Sequence, residues 1–170
     1  MTMDLVQGIS KVTSLVKNCI TSEMEPEGIL HDVKSFIPSY RFEDDLDEPL
    51  IGLFEHETQP VTDGTLSHQI ELQTPYEFLC VVYDDDLEES EIKGKDLAGR
   101  VCVAIAKNFT RIFKDEKLTV KKPAIRSINP VGIAELEGTS QEAAVTSVVI
   151  EITYYVDWMK CIKKKYNENM

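Results

Sequence analysis

The feature that most constrains the fold is a long alternating stretch near the end of the chain, residues 143–156. Apolar side chains recur there at every second position, and one face collects Val148, Ile150, Ile152, Tyr154 and Val156. A period of two is that of an extended strand with one buried face. The sequence therefore predicts a long strand that closes a sheet, with other elements packed against one side of it.

Two segments have helical spacing instead. The first carries an apolar stripe at intervals of three and four residues: Leu5, Ile9, Val12, Val16 and Cys19. This helix should end near Thr21, because Pro26 and Gly28 follow. The second has a broader apolar face: Ala98, Val101, Cys102, Ile105, Ala106, Phe109, Ile112 and Phe113. Gly94 and Gly99 weaken its first half, so we expect it to start near Asp96.

Several shorter segments read as strands or turns. Residues 50–54 form an apolar run behind Pro49, and residues 66–72 alternate cleanly until Pro75 interrupts them. Residues 76–83 predict a more central strand, apolar on both faces. Residues 118–120 and 124–128 are separated by Pro123, a bulge or break is expected at Asn129-Pro130, and residues 131–136 continue as a strand. Residues 29–37 are compatible with a short strand or a helical turn, and residues 137–140 predict a hairpin loop.

Together these elements predict an α+β fold. Its sheet is mostly antiparallel, because strands adjacent in sequence are joined by short turns. The N-terminal helix and the one long central helix pack on one face, and residues 157–166 form a short C-terminal helical tail. We expect a single domain over residues 1–157, followed by a basic tail at 158–170 that carries Lys160 and three further lysines.

Charge limits the function classes open to this chain. The net charge of its 170 residues is −12, which opposes tight binding to DNA phosphates. The first residues lack the basic and apolar segments of a signal peptide, and no apolar run approaches the roughly 18 residues of a membrane helix. The four cysteines, Cys19, Cys80, Cys102 and Cys161, form no metal-binding pair. They are interpreted as reduced core thiols of a cytoplasmic protein.

Candidate chemistry is sparse. Asp84, Asp85, Asp86, Glu88 and Glu89 supply the oxygen ligands that hard cations prefer, but they lack the spacing of a calcium loop. An acidic helix entrance explains them as well. His31, His56 and His68 form no zinc motif, and no nucleophile elbow, phosphate loop or dinucleotide fingerprint is present. We therefore predict a protein that is not an enzyme and has no cofactor or metal.

Two surfaces are candidates for contacts with partners. The first is an acidic loop whose carboxylates repel one another and whose Pro49 blocks regular structure: Glu43, Asp44, Asp45, Asp47 and Glu48. The second joins aromatic rings to a basic tail: Tyr154, Tyr155, Trp158, Lys163, Lys164 and Lys165. The alternatives are that the rings close one end of the core and that the lysines stay in water at the end of a short helix.

The order of these elements resembles that of tail-terminator and tail-completion proteins of long-tailed phages and archaeal tailed viruses. The segments that carry the resemblance are the strand at 49–54, the strand at 78–83, the helix from Leu97 to Ile112, the segment at 125–130 and the final strand at 148–156. The resemblance covers residues 1–157 and rests on hydrophobic pattern, without an invariant motif. The acidic insertion at 41–48 and the lysine-rich tail depart from it, so no functional residue is carried over.

The resemblance implies a structural role in the virion. Such proteins form homo-oligomeric rings, commonly hexameric, at the tail–neck junction. The ring contacts a tail-tube protein and a head–neck adaptor protein and lets viral DNA pass without binding it; no membrane is involved, and the subunits assemble in the host cytoplasm. The acidic loop would then lie at a ring surface or lumen. The alternatives are another virion neck, adaptor or tail-tube-like subunit, a cellular interaction module of similar topology, and a metal-dependent enzyme that uses the carboxylates.

Overall fold

The computed structural model describes residues 5–38, 47–61, 70–114, 118–135 and 142–156. These residues form two helices and seven strands: α1 (Leu5–Glu23), β1 (Ser35–Ile37), β2 (Leu50–Glu55), β3 (Gln59–Pro60), β4 (Ile70–Val82), α2 (Leu87–Ile112), β5 (Leu118–Val120), β6 (Ala124–Glu135) and β7 (Glu142–Val156). The predicted α+β fold with an N-terminal and a central helix is confirmed. The loop expected at 137–140, the helical tail and the domain boundary at 157 lie outside the described residues.

The sheet is mixed but mostly antiparallel. Its strand order is β1-β2-β4-β7-β5, and β3 and β6 add to β4 and β7 respectively. Only the short β1 runs parallel to its neighbour β2 among the described strands. The long strands β4 and β7 form the centre, paired without a break from Ile70 opposite Val156 to Val82 opposite Ala144. The predicted long strand, β7, is therefore central in the sheet. It pairs with β4 on one side and with β5 and β6 on the other.

Both helices cover the same face of the sheet. The hydroxyls of Thr13 on α1 and Tyr76 on β4 share a hydrogen bond of 2.9 Å, and Gly94 on α2 lies against the side chain of Thr146 on β7. Tyr76 and Thr146 occupy the same side of the paired strands, because Thr146 is opposite Cys80 and side chains alternate. The apolar face predicted for β7 is buried here, with Val148, Ile152 and Tyr154 fully inaccessible.

α1 begins and ends close to where the stripe predicts. Its buried apolar side chains are Val12, Leu15, Val16, Cys19 and Ile20. The helix continues to Glu23, two residues beyond the expected end. A turn then brings the amide of Leu30 to the carbonyl of Glu23 at 2.8 Å. Gly28 permits this turn, since a Cβ at that position would lie 2.0 Å from the same carbonyl oxygen.

Pro75 does not interrupt the strand as expected. β4 runs through it, with Pro75 opposite Glu151 of β7. The carbonyl of Pro75 accepts a hydrogen bond of 3.0 Å from the amide of His56, so the polar backbone side of Pro75 faces away from β7. On that side the neighbour is the connection between β2 and β3, where ladder pairing is already broken. The missing N–H therefore removes no bond between β4 and β7.

α2 starts at Leu87, well before the predicted start near Asp96. Asp86 caps it, accepting a hydrogen bond of 2.9 Å from the amide of Glu88, and Glu88 and Glu89 place negative charge in its first turn. Both arrangements stabilise a helix N-terminus. Gly94 is buried because α2 approaches β7 there: a Cβ would lie 3.0 Å from Thr146 Oγ1. Close helix–sheet packing thus explains a glycine that the sequence pattern treats as a helix breaker.

The edge formed by β5 and β6 is irregular. β6 pairs with β7 from Ala124 opposite Glu151 to Glu135 opposite Glu142, with register shifts at 125–127 and 130–132. The second shift lies where the sequence predicts a bulge or break, at Asn129-Pro130. Bulges and prolines are common at sheet edges, because they discourage a further strand from pairing there. Among the described strands, none pairs with the outer side of β5 or β6.

Candidate functional site

The acidic loop is only partly described. Glu43, Asp44 and Asp45 lie outside the described residues, Asp47 is exposed, and Glu48 is half-buried. Burial raises the pKa of Glu48, which the positive charge of Lys34 partly offsets. The location of the acidic loop at a ring surface or lumen stays a prediction.

The second candidate surface, which joins aromatic rings to a basic tail, is described only at its two tyrosines. Tyr154 is fully buried, and its hydroxyl shares a hydrogen bond of 2.9 Å with that of Thr74. It is therefore a core residue, as in the alternative reading, and lends no surface to a partner. Tyr155 is half-exposed, with the Lys121 ammonium 5.4 Å from the centre of its ring. Trp158, Lys163, Lys164 and Lys165 lie outside the described residues.

The carboxylates at the start of α2 stabilise the helix. Asp86 caps the helix, and Asp84 accepts a hydrogen bond from the amide of Asp86 and pairs with Lys93. The hydrogen bond from Lys93 lowers the pKa of Asp84. This corresponds to the acidic helix entrance. Within the described residues, no three His, Cys, Asp or Glu side chains are grouped as a metal site would require.

The three described cysteines are free thiols. Cys19 and Cys80 are fully buried, and burial raises the pKa of each thiol to about 12. Cys102 is half-buried on α2, and burial raises its pKa too. Such thiols stay protonated at neutral pH and are weak nucleophiles. Cys161 and His68 lie outside the described residues. The exposed His31 ring forms a hydrogen bond of 2.9 Å with the carbonyl of Gly28.

The sheet face opposite the helices carries a ladder of paired polar groups. Glu71 pairs with Lys121, and Glu151 is held by Arg126 and Gln73. Glu77 accepts from Ser147 Oγ at 2.6 Å and contacts His56 Nε2 at 2.8 Å. Sequence reasoning missed these groups, because their partners lie on different strands and are up to 78 residues apart.

The contact of Ser147, Glu77 and His56 brings a hydroxyl, a carboxylate and an imidazole together. A serine nucleophile needs both an adjacent base and access to substrate. Ser147 is 5% exposed, so its hydroxyl is shielded in this conformation. The described geometry therefore joins β4, β7 and the residue that follows β2, and its serine hydroxyl is shielded from substrate.

The most unusual surface is the outer edge of the sheet. Three large aliphatic side chains on β6 are exposed: Ile125 by 56%, Ile128 by 46% and Val131 by 61%. We call these three residues the edge strip. Contiguous exposed apolar side chains are characteristic of surfaces that contact another molecule. Sequence reasoning identified this strand but not its exposure, because position in the sheet depends on the pairing of distant strands.

No helix of the described residues has the length and hydropathy needed to cross a membrane. Comparison with protein-family models and with curated proteins finds no match for this chain.

Proposed function

We propose that this chain is a structural subunit of a tailed virus particle, a tail-terminator or tail-completion protein. Copies of it form a ring, commonly of six, that caps the tail tube, joins it to the head–neck and lets DNA pass. The observation that carries the proposal is the edge strip, an exposed apolar surface at the margin of the sheet.

The edge strip supports self-assembly on energetic grounds. Burying an exposed aliphatic side chain fully contributes about 1.5–3 kcal/mol, so covering Ile125, Ile128 and Val131 by about half contributes several kcal/mol. The bulged edge of β6 discourages open-ended strand addition. Head-to-tail contacts between side chains close into a ring when the rotation between copies divides a full turn.

Two further features support the viral assignment. The order of elements, with the N-terminal helix, the meander ending in β4, the long α2 and the closing β7, agrees with the resemblance to tail-terminator proteins. The charge of −12 suits a passage through which DNA slides without adsorbing. The subunit would then reside in the virion at the tail–neck junction, and contact a tail-tube protein and a head–neck adaptor.

Assembly state is the decisive measurement. Light scattering on a sizing column and negative-stain imaging should show closed rings of about six copies, with and without a divalent cation. Replacing Ile125 and Ile128 by serine should shift the protein to smaller species. The matched control is Val61→Ser, since Val61 is 45% exposed and follows β3, away from the edge strip. A strict monomer in every condition would contradict the proposal, and equal loss of assembly in the control would show that the edge strip is not special.

The acidic loop can be tested separately. In this proposal Glu43, Asp44, Asp45, Asp47 and Glu48 line a ring surface or the lumen. Changing all five to their amides should leave folding intact and change either ring assembly or the passage of DNA through assembled particles. If both stay as in the wild type, the loop has no such role.

A further inference from the structure

The helix α2 has an outward face that carries exposed aliphatic side chains. Its sheet side is marked by Leu97 and Val101, which are fully buried. At about 100° per residue, Ile92 points directly away from Val101, and Val103 lies within about 20° of the direction of Ile92. Both Ile92 and Val103 are 53% exposed. Two large aliphatic side chains therefore stand on one line along the outward side of the helix, about 16 Å apart.

The same line contains an open site beside Val103. Gly99 and Thr110 both point within about 20° of the direction of Ile92. A Cβ at Gly99 would meet nothing within 4 Å, so the helix backbone can be approached closely at that position. An aliphatic side chain on a facing helix could therefore pack against Gly99, as side chains of one helix pack into the grooves of another. We call Ile92, Gly99, Val103 and Thr110 the outer face of α2.

Charge changes sign along one flank of the outer face. Glu89, Asp96 and Lys107 all lie about 40–60° to the same side of the direction of Ile92. Lys114 follows the end of the helix, and residues 101–114 contain three basic residues and no acidic one. The exposed Glu89 and Lys114 make no ion pair with a described residue.

The other two charged groups of this flank already have a partner within the subunit. Asp96 pairs with Arg100, and Lys107 pairs with Glu23. The side chains of Asp96 and Lys107 nevertheless stay 66% and 55% exposed. A carboxylate has a second oxygen and an ammonium has three N–H donors, so each can accept a further partner from outside. The flank therefore presents acid in its first half and base in its second.

We infer that the outer face of α2 packs on the same face of a second copy, with the two helices antiparallel about a two-fold axis at the level of residue 101. In this register Gly99 of one copy lies opposite Val103 of the other, and Ile92 lies opposite Thr110. The two-fold axis makes each contact occur twice. Both exposed aliphatic side chains are then covered in both copies, and burial of apolar surface supplies the affinity. The contact goes beyond the proposed ring and does not depend on it.

Charge complementarity argues for a second copy as the occupant and for the antiparallel direction. The two-fold axis brings the charged flank of one helix against the same flank of the other. Within one residue of exact register, Asp96 then faces Lys107 and Glu89 faces Lys114, and each pair occurs twice. A parallel pair would instead bring the acidic first turns of both helices together. Opposite charges favour one pairing and like charges oppose the other, so the flank is complementary to itself in the antiparallel direction only.

Charge reversal on the full-length chain tests the contact, in a parent that carries Ile125→Ser and Ile128→Ser to remove assembly through the edge strip. Glu89→Lys alone and Lys114→Glu alone should each weaken the two-copy association about tenfold, because like charges then meet twice. The double variant restores opposite signs at an unchanged net charge and should associate as the parent does. Glu89→Lys also reduces the net negative charge, so long-range repulsion alone predicts the opposite result. Sedimentation equilibrium measures all four proteins, with Lys11→Glu plus Glu57→Lys as the control at exposed sites elsewhere. A double variant as weak as the single variants would overturn the inference.

Bulk at Gly99 gives a test that does not use charge. Gly99→Leu in the same parent should reduce association about a hundredfold or more, since two leucines then occupy the space that Val103 of each partner needs. The subunit should stay folded, because a side chain at this position meets nothing within the chain. Circular dichroism and thermal unfolding check the fold, and Gly99→Ala should weaken association less. Unchanged association of Gly99→Leu would overturn the inference.

Cross-linking reports the direction of the helices. Ile92→Cys in one preparation and Thr110→Cys in another should join when the two are mixed and oxidised, and far less within either preparation. The wild type under the same oxidation measures bonds formed by its native thiols. Covalent dimers within the Ile92→Cys preparation alone would show parallel helices and overturn the inference.

The outcomes also separate this contact from the proposed ring. If the edge strip forms rings, pairs of them join through α2, and the parent without the edge strip stops at two copies. A parent that is monomeric at every concentration, beside a wild type that forms rings, overturns this inference while the ring stands. A wild type that forms two-copy particles only, unaffected by changes in the edge strip, supports the α2 contact and removes the ring.

Discussion

At the scale of single residues, Glu23 has the most consequential environment. Its carboxylate accepts hydrogen bonds from Asn108 Nδ2 at 2.7 Å and from the amide of Ile29 at 3.1 Å, and it pairs with Lys107 at 3.1 Å. The side chain is 5% exposed. One carboxylate thus joins the end of α1, the turn that follows and the C-terminal half of α2. The hydrogen bond from Asn108 is the main cause of its lowered pKa.

We expect Glu23→Gln to destabilise the fold by roughly 1–3 kcal/mol at neutral pH, since it removes charge from a buried hydrogen-bonded site. A carboxyl whose folded-state pKa is lowered stabilises the protein above its unfolded pKa, and that contribution is lost as pH falls through the lowered value. The difference between wild type and variant should therefore shrink toward acid pH. Urea unfolding across that range measures it, with the exposed Glu27→Gln as control. A difference that stays constant with pH would show that the charge contributes nothing.

At the scale of elements, alanine substitution should affect stability differently at two glycines of α2. A Cβ at Gly99 meets nothing within 4 Å, whereas a Cβ at Gly94 lies 3.0 Å from Thr146 Oγ1. Gly99→Ala should stabilise the protein by about 0.5–1 kcal/mol through helix propensity. Gly94→Ala should lose most or all of that gain, and Gly94→Leu should cost roughly 1–3 kcal/mol through overpacking. Thermal unfolding of the three variants compares them directly. Equal stabilisation by both alanines would mean that α2 does not approach β7 closely.

The same two glycines show where sequence reasoning fails. Periodicity predicted β2, β7 and both helices, because a buried face imposes its own period on local sequence. The start of α2 and the passage of β4 through Pro75 were predicted wrongly. Gly94 is accommodated in α2 because the helix approaches Thr146 there. Pro75 is accommodated in β4 because neither β2 nor β3 pairs with it. Both reasons are tertiary, so no local pattern contains them.

The exposure of the edge strip could not be predicted from the sequence, because it too depends on tertiary structure. Ile125 and Ile128 have the pattern of a buried strand, yet both are exposed because β6 forms the margin of the sheet. Strand order is set by pairing among β4, β6 and β7, and a 26-residue helix separates β4 from the other two in sequence. The acidic loop and the carboxylates before α2 were visible in the sequence, since charge runs need no tertiary information. Their position relative to the edge strip was not visible in the sequence.

At the scale of the whole molecule, net charge opposes the proposed assembly. Each subunit carries −12, so neighbours in a ring repel at long range while the apolar edge strip attracts at short range. Treated as point charges about 30 Å apart in water, two such subunits repel by roughly 7 kcal/mol at a screening length of about 30 Å and by roughly 1 kcal/mol at about 10 Å. An exposed ion pair at the margin of the contact contributes only about 0.2–1 kcal/mol. Screening should therefore relieve more repulsion than it costs in attraction.

Assembly should consequently strengthen as ionic strength rises from about 0.01 M to about 0.1 M, where the screening length falls from about 30 Å to about 10 Å. We expect the association constant to increase by about two orders of magnitude or more, which corresponds to about 3 kcal/mol or more of relieved repulsion. Sedimentation velocity over a sodium chloride series measures this without a divalent cation, and a magnesium series at matched ionic strength separates screening from specific binding. Lys122→Glu makes the net charge more negative by two, so it should weaken association most at low ionic strength, where the point-charge repulsion between subunits rises by about a third. Association that weakens steadily with salt would show instead that contact charges dominate, and that the acidic surface of the ring is less repulsive than its composition implies.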